Sequence, residues 1–106
     1  MLYELRQYWA RPGRRHELVE LMEQRILPMQ AAAGVDVVAS FVSVDDPDGY
    51  TWIRRWASED ERERISAAVY GSAEWIEELL PAVRALMVRD RTVVTALRPT
   101  SISPLR

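Results

Sequence analysis

"VDVVASFVSVDDPDGYTWIRRWA" (Val35–Ala57) decides the fold. Val35–Val44 is rich in β-branched residues and reads as a strand. Asp45–Gly49, "DDPDG", carries proline, aspartates and glycine and reads as a hairpin loop. Tyr50–Ala57 is then an antiparallel strand, and its alternation puts Tyr50, Trp52, Arg54 and Trp56 on one face. Such a face can stack a ligand, pack a core or seal a dimer.

The flanks of the hairpin complete the architecture. Leu2–Ala10 alternates as a first strand, with Tyr3, Leu5, Gln7 and Trp9 on one face and Leu2, Glu4, Arg6 and Tyr8 on the other. "RPG" (Arg11–Gly13) ends it as a turn. A helix is expected from about Arg14 to Ala33, with Leu18, Leu21, Met22, Ile26 and Met29 as its apolar stripe and Gly34 as its left-handed cap. Pro28 lies too deep for a first-turn proline and predicts a kink or break. After the hairpin, Ser58 and Glu61 fit a capping box, and Asp60 to Arg64 is a favourable i,i+4 ion pair. The run "SEDERER" thus reads as a solvated helix start with a scaffold role. Gly71 ends that helix and Ser72 caps another, whose stripe is Trp75, Ile76, Leu79, Leu80, Val83 and Met87, interrupted at Pro81. Arg91–Pro99 is a fourth strand, and residues 100–106 form an extended tail.

The order strand, helix, hairpin, broken helix, strand is that of a ferredoxin-like β-α-β-β-α-β antiparallel sheet. It is an α+β fold with both helices on one sheet face, because right-handed crossovers place them on the same side. The second strand presents Val35, Val37, Ala39 and Phe41 on one face and Val38, Val42 and Val44 on the other. The fourth sets Val93 and Leu97 opposite Val94 and Ala96. Two apolar faces with helices on only one predict a homodimer, sheet against sheet, with a barrel-like centre.

Composition narrows the chemistry. The 106 residues suffice for a single domain, 1–106, and are 48% apolar and 28% charged. A net charge of −2 supplies no field toward nucleic acid or anionic lipid. The absence of cysteine removes thiol catalysis, zinc–thiolate and iron–sulfur sites, and a single histidine, His16, cannot form a two-histidine metal site. All fourteen basic residues are arginine, which removes lysine Schiff-base chemistry. Neither a signal-peptide pattern nor a membrane-length apolar run is visible, so a cytoplasmic location is the expectation.

The chain resembles the NIPSNAP family, within the dimeric α+β barrel superfamily. The likeness runs through "YELRQYWARPG" from Tyr3, "ILPMQAAAG" at the end of the first helix, "RWAS" before the second, "SAEW" at Ser72–Trp75, Pro81, and the "LRP…SP" ending. Arg54 stands where that family usually shows a tryptophan, Trp52 and Trp56 where histidine and tyrosine are common, and Arg55 matches the family's own arginine. The resemblance implies a dimeric barrel holding a small ligand.

Two clusters are candidate ligand-binding sites. Glu4, Arg6 and Tyr8 form either a buried pair with a tyrosine lid between the two sheets or an anion- or carbonyl-binding site with Arg6 as donor. Tyr50, Trp52, Arg54 and Trp56 line either the cavity or the interface, with Arg54 set between tryptophans as a fixed cation that orients a carboxylate or carbonyl. His16 reads as an exposed residue in a first helical turn, and Trp75 as core. The leading function is small-molecule binding without a cofactor or metal. The alternative is a cofactor-independent oxygenase or isomerase acting on a small aromatic or polyketide-like substrate. An RNA-recognition module shares the topology, but the glycines of its signature are absent and the chain is acidic.

Overall fold

The structure, a computed structural model, describes residues 1–106. Four strands, β1 (Leu2–Trp9), β2 (Asp36–Val42), β3 (Gly49–Trp56) and β4 (Val93–Leu97), form one antiparallel sheet in the order β2-β3-β1-β4. The helices pack on a single face. No helix is long and apolar enough to cross a membrane.

The first helical run is not broken at Pro28. It proceeds as α1 (Arg15–Leu21), a π-helical turn (Met22–Ile26) and α2 (Leu27–Ala32). Proline has no N–H and its ring would strike the carbonyl four residues back. The wide turn avoids both problems, with Leu27 N–H donating to Met22 O, five residues back. The second run repeats the device: α3 (Glu59–Tyr70) is followed by a π-helical turn (Glu74–Leu79) and α4 (Leu80–Leu86), with Leu80 N–H donating to Trp75 O ahead of Pro81. Each π turn also re-phases its stripe. Leu18, Met22, Ile26 and Gln30 all face inward at four-residue spacing, which overshoots a 3.6-residue turn. Gln30 therefore takes the buried position expected of Met29, and Ile76 is 52% exposed.

Caps hold as expected at two places. Gly34 has φ +102°, and Glu61 N–H donates to Ser58 Oγ at 3.1 Å. The return bond of the box lands one residue early, from Ala57 N–H to Glu61 Oε2. Asp60 and Arg64 do not pair; Arg62 bonds Glu59 instead.

A bulge between Val37 and Ala39 reverses the parity of β2. Val37 pairs with Arg54 on the helix side, while Ala39 and Phe41 pair with Ile53 and Thr51 on the other. The four residues expected on one face are thus divided between two. The side away from the helices carries Leu5, Ile53, Phe41, Val93 and Leu97, and no element covers it. Phe41 is 56% exposed, and Val93 and Leu97 44% each. The tail turns back through a Ser103 N–H to Thr100 O bond, and Arg55 donates to the Arg106 carbonyl at 2.7 Å.

Candidate functional site

Register brings the two candidate clusters together. β1 and β3 pair Leu2 with Trp56, Glu4 with Arg54, Arg6 with Trp52 and Tyr8 with Tyr50. All eight side chains lie on the helix side of the sheet. Glu4 and Arg6 are therefore not packed between two sheets, because the pleat that turns Arg54 toward the helices turns Glu4 with it.

Glu4, 2% exposed, is the hub. Its Oε1 accepts from Arg6 Nη1 at 2.7 Å and from Arg54 Nε at 2.8 Å, with Arg54 Nη2 also 2.7 Å away. Its Oε2 accepts from Arg62 Nε at 2.8 Å. The charged start of α3 thus does more than scaffold: Arg62 reaches the sheet. Burial pushes the Glu4 carboxyl up, but Arg54 and Arg6 outweigh it and hold the group below its ordinary value. Glu4 is an ionised strut held by three arginines.

Arg54 is fully committed. Its Nη1 donates to Gln30 Oε1 at 2.9 Å and to the Tyr70 hydroxyl at 3.0 Å, and its guanidinium carbon lies 5.2 Å from the Trp52 ring centre and 4.9 Å from that of Trp56. It does not line the cavity. The residue expected to orient a ligand thus has its donors on Glu4, Gln30 and Tyr70. Trp56 belongs to a separate packed cluster with Leu2, Val35, Ile65 and Val69. Tyr50 bonds Ser40 Oγ at 2.6 Å, and burial pushes its phenol up.

The cavity lies above Arg6, Tyr8 and Trp52 and measures about 510 Å³. One wall is Met22, Ile26 and Gln30; the other is Tyr70, Trp75, Val83 and Met87; Arg89, Asp90 and Thr92 form the rim. Trp75 sits edge-on to Tyr70 with ring centres 5.1 Å apart, so it borders the cavity and is only half-buried. Arg6, 17% exposed, donates from Nε to the Tyr8 hydroxyl at 2.8 Å. Burial opposes its charge, yet Tyr8, Tyr70 and Glu4 outweigh that and hold Arg6 above its ordinary value. Three guanidiniums (Arg6, Arg54, Arg62) meet two carboxylates (Glu4, Glu59), which leaves one positive charge without a counter-ion. His16 is exposed on α1, outside this cavity.

Gln30, Arg62 and Tyr70 were missed from sequence. A buried Gln at the four-residue spacing from Ile26, just ahead of the Gly34 cap, was the one available signal.

Fold and site define an α+β protein with a polar-floored cavity between sheet and helices, in the architecture of the dimeric α+β barrels. The NIPSNAP family model matches residues 3–104, and the chain belongs to that family. A NIPSNAP family protein from Agrobacterium tumefaciens is similar at 25% identity and TM-score 0.87, covering 99% of this chain and 98% of its own. A NIPSNAP-like domain protein from Burkholderia xenovorans is similar at 23% identity and TM-score 0.86, covering 97% and 88%. SnoaB, a cofactor-independent oxygenase from Streptomyces nogalater, shares the fold at 16% identity and TM-score 0.72, covering 97% and 96%. Among curated proteins, none matches the chain.

Proposed function

We propose that this chain is a homodimeric small-molecule-binding protein whose sheet–helix cavity takes a flat, largely apolar ligand oriented by Arg6. The observation that carries the reading is the cavity of about 510 Å³, walled by aromatic and aliphatic side chains, with the Arg6 guanidinium on its floor. Glu4 and Arg54 hold that floor in place, and Tyr8 and Trp52 border the ligand. Its partners on this reading are a second copy and the ligand, not nucleic acid or membrane, in the cytoplasm. The uncovered sheet face around Phe41, Val93 and Leu97 supports the dimer. Light scattering at micromolar concentration is expected to give twice the 12.2 kDa chain mass.

Titration with 1-naphthoate, followed by tryptophan fluorescence, tests the cavity. Binding is expected to quench the signal and to be lost in Arg6→Met with the fold intact by circular dichroism. Binding that survives in Arg6→Met would sink the assignment of Arg6.

A cofactor-independent oxygenase or isomerase is the second reading. The Tyr8 and Tyr70 hydroxyls beside Arg6 favour it, because donors fixed in place stabilise developing negative charge on oxygen. Turnover of an enolisable aromatic ketone, measured with and without oxygen, separates it from simple binding.

A further inference from the structure

Hydrogen-bond direction in the cavity is one-sided. The Tyr70 oxygen accepts from Arg54 Nη1 at 3.0 Å and from Gln30 Nε2 at 3.2 Å. Both lone pairs are then in use, so its O–H must donate outward, and the protein supplies no acceptor. Tyr8 accepts from Arg6 Nε, and its own O–H also lacks an acceptor. Arg6 Nη2 makes no protein hydrogen bond. Glu4 accepts from three arginines and Gln30 Oε1 from Arg54, while the Tyr8 oxygen, taken once by Arg6, keeps one lone pair. Further acceptors stand at the rim, on Asp90 and Thr92.

Such a site distinguishes the two protonation states of an acidic ligand. A neutral acid brings an O–H into a site that offers mostly donors. Its conjugate base brings acceptors alone, and a charge that matches the uncompensated guanidinium. A buried polar group left unpaired is penalised, and a charge-assisted bond is about twice as strong as a neutral one.

We infer that the cavity is a receptor for the conjugate base of an enol, phenol or carboxylic acid, and that binding promotes loss of the ligand's proton. The inference rests on the cavity being the ligand site. In the step, the ligand O–H bond breaks and its electron pair stays on oxygen, beside Arg6, Tyr8 and Tyr70. The proton leaves to water at the rim, and nothing is oxidised or reduced. The charged and titratable groups around the site are Glu4, Arg6 and Tyr8 from β1, Arg54 from β3, Arg62 and Tyr70 from α3, and Arg89 and Asp90 from the rim. The first helical run contributes Gln30, which does not titrate.

The probe is 7-hydroxycoumarin, whose phenol and phenolate absorb at different wavelengths, with 7-methoxycoumarin as the non-ionisable match. With saturating protein, the bound hydroxy probe is expected to ionise at least about one pH unit below the free probe, a tenfold preference for the anion. Tyr8→Phe and Tyr70→Phe should each move that midpoint part of the way back, and Arg6→Met should return it to the free value. A bound probe that ionises at or above its free value overturns the inference, as does a midpoint unmoved in all three variants. If 7-methoxycoumarin binds as tightly as the phenolate, the anion preference is wrong while the cavity reading stands. If neither probe binds at millimolar concentration, both fall together.

Discussion

Glu4→Gln is the sharpest test of how the site is held. The substitution keeps shape and removes one charge. Glu4 takes charge-assisted bonds from Arg6, Arg54 and Arg62, all between 2.7 and 2.8 Å. Arg54, 2% exposed, has no water to turn to when its carboxylate partner is lost. Breaking a buried pair by removing one partner costs roughly 3–5 kcal/mol. Arg6 and Arg62 are partly exposed and recover some hydration, so we take the lower end, about 3 kcal/mol. For a domain of this size that lowers the melting temperature by roughly 12–24 °C. Arg54→Met alone should cost a similar amount, since it leaves Glu4 short of a partner. The Glu4→Gln/Arg54→Met double variant should lose less than the sum, with a coupling of roughly 1–3 kcal/mol. Urea unfolding at one fixed protein concentration reads all three, because dimerisation makes stability depend on concentration. Small, additive losses under about 1 kcal/mol would show that water reaches the network, and the account of Glu4 as a buried hub would fail.

Glu4 also sets a pH dependence. Its folded pKa lies below the ordinary 4.5, so the unfolded chain takes up this proton first. The stabilisation should be complete above the ordinary value and be lost as pH falls through the lower folded one; urea midpoints between neutral pH and the acid limit should drop less in Glu4→Gln than in the parent. Gly34→Ala places a side chain at φ +102° with its Cβ 3.4 Å from Ile65 Cδ1, and should cost roughly 1–2 kcal/mol by the same assay. Ser58→Ala removes the acceptor for Glu61 N–H and should cost about 1 kcal/mol.

Features encoded by near neighbours were legible in the sequence. The hairpin loop, the Gly34 cap and the Ser58 cap each rest on a handful of consecutive residues, and the strand order follows from the element order and its crossovers. Features that depend on parity or distance were not. One extra residue at the Val37/Ala39 bulge moves Ala39 and Phe41 to the opposite face, and no local pattern announces it. The π turns shift the helical phase, so a 3.6-residue stripe selects Met29 and Ile76 where the fold buries Gln30 and exposes Ile76. Arg62 entered the sequence reading only as part of the solvated helix start "SEDERER". Its carboxylate is Glu4, 58 residues away.

Arg54 and Arg55 are adjacent, and alternation alone gives no reason to bury one and not the other. Register supplies the reason. Arg54 pairs across the sheet with Glu4, whereas Arg55 pairs with Tyr3 and turns to Asp36 on the open side. A guanidinium at position 54 reaches Glu4, Gln30 and Tyr70 at once through a planar fork; a single ammonium on a lysine stem lacks that geometry. The consequence lies one residue further along β1. With Glu4 neutralised by Arg54 and Arg62, the Arg6 charge is no longer cancelled by its nearest carboxylate, and the Tyr70 oxygen is held as an acceptor so that its O–H faces outward. Arg54 does not itself line the cavity, yet through Glu4 and Tyr70 it shapes the cavity's charge and the direction of its hydroxyl donors.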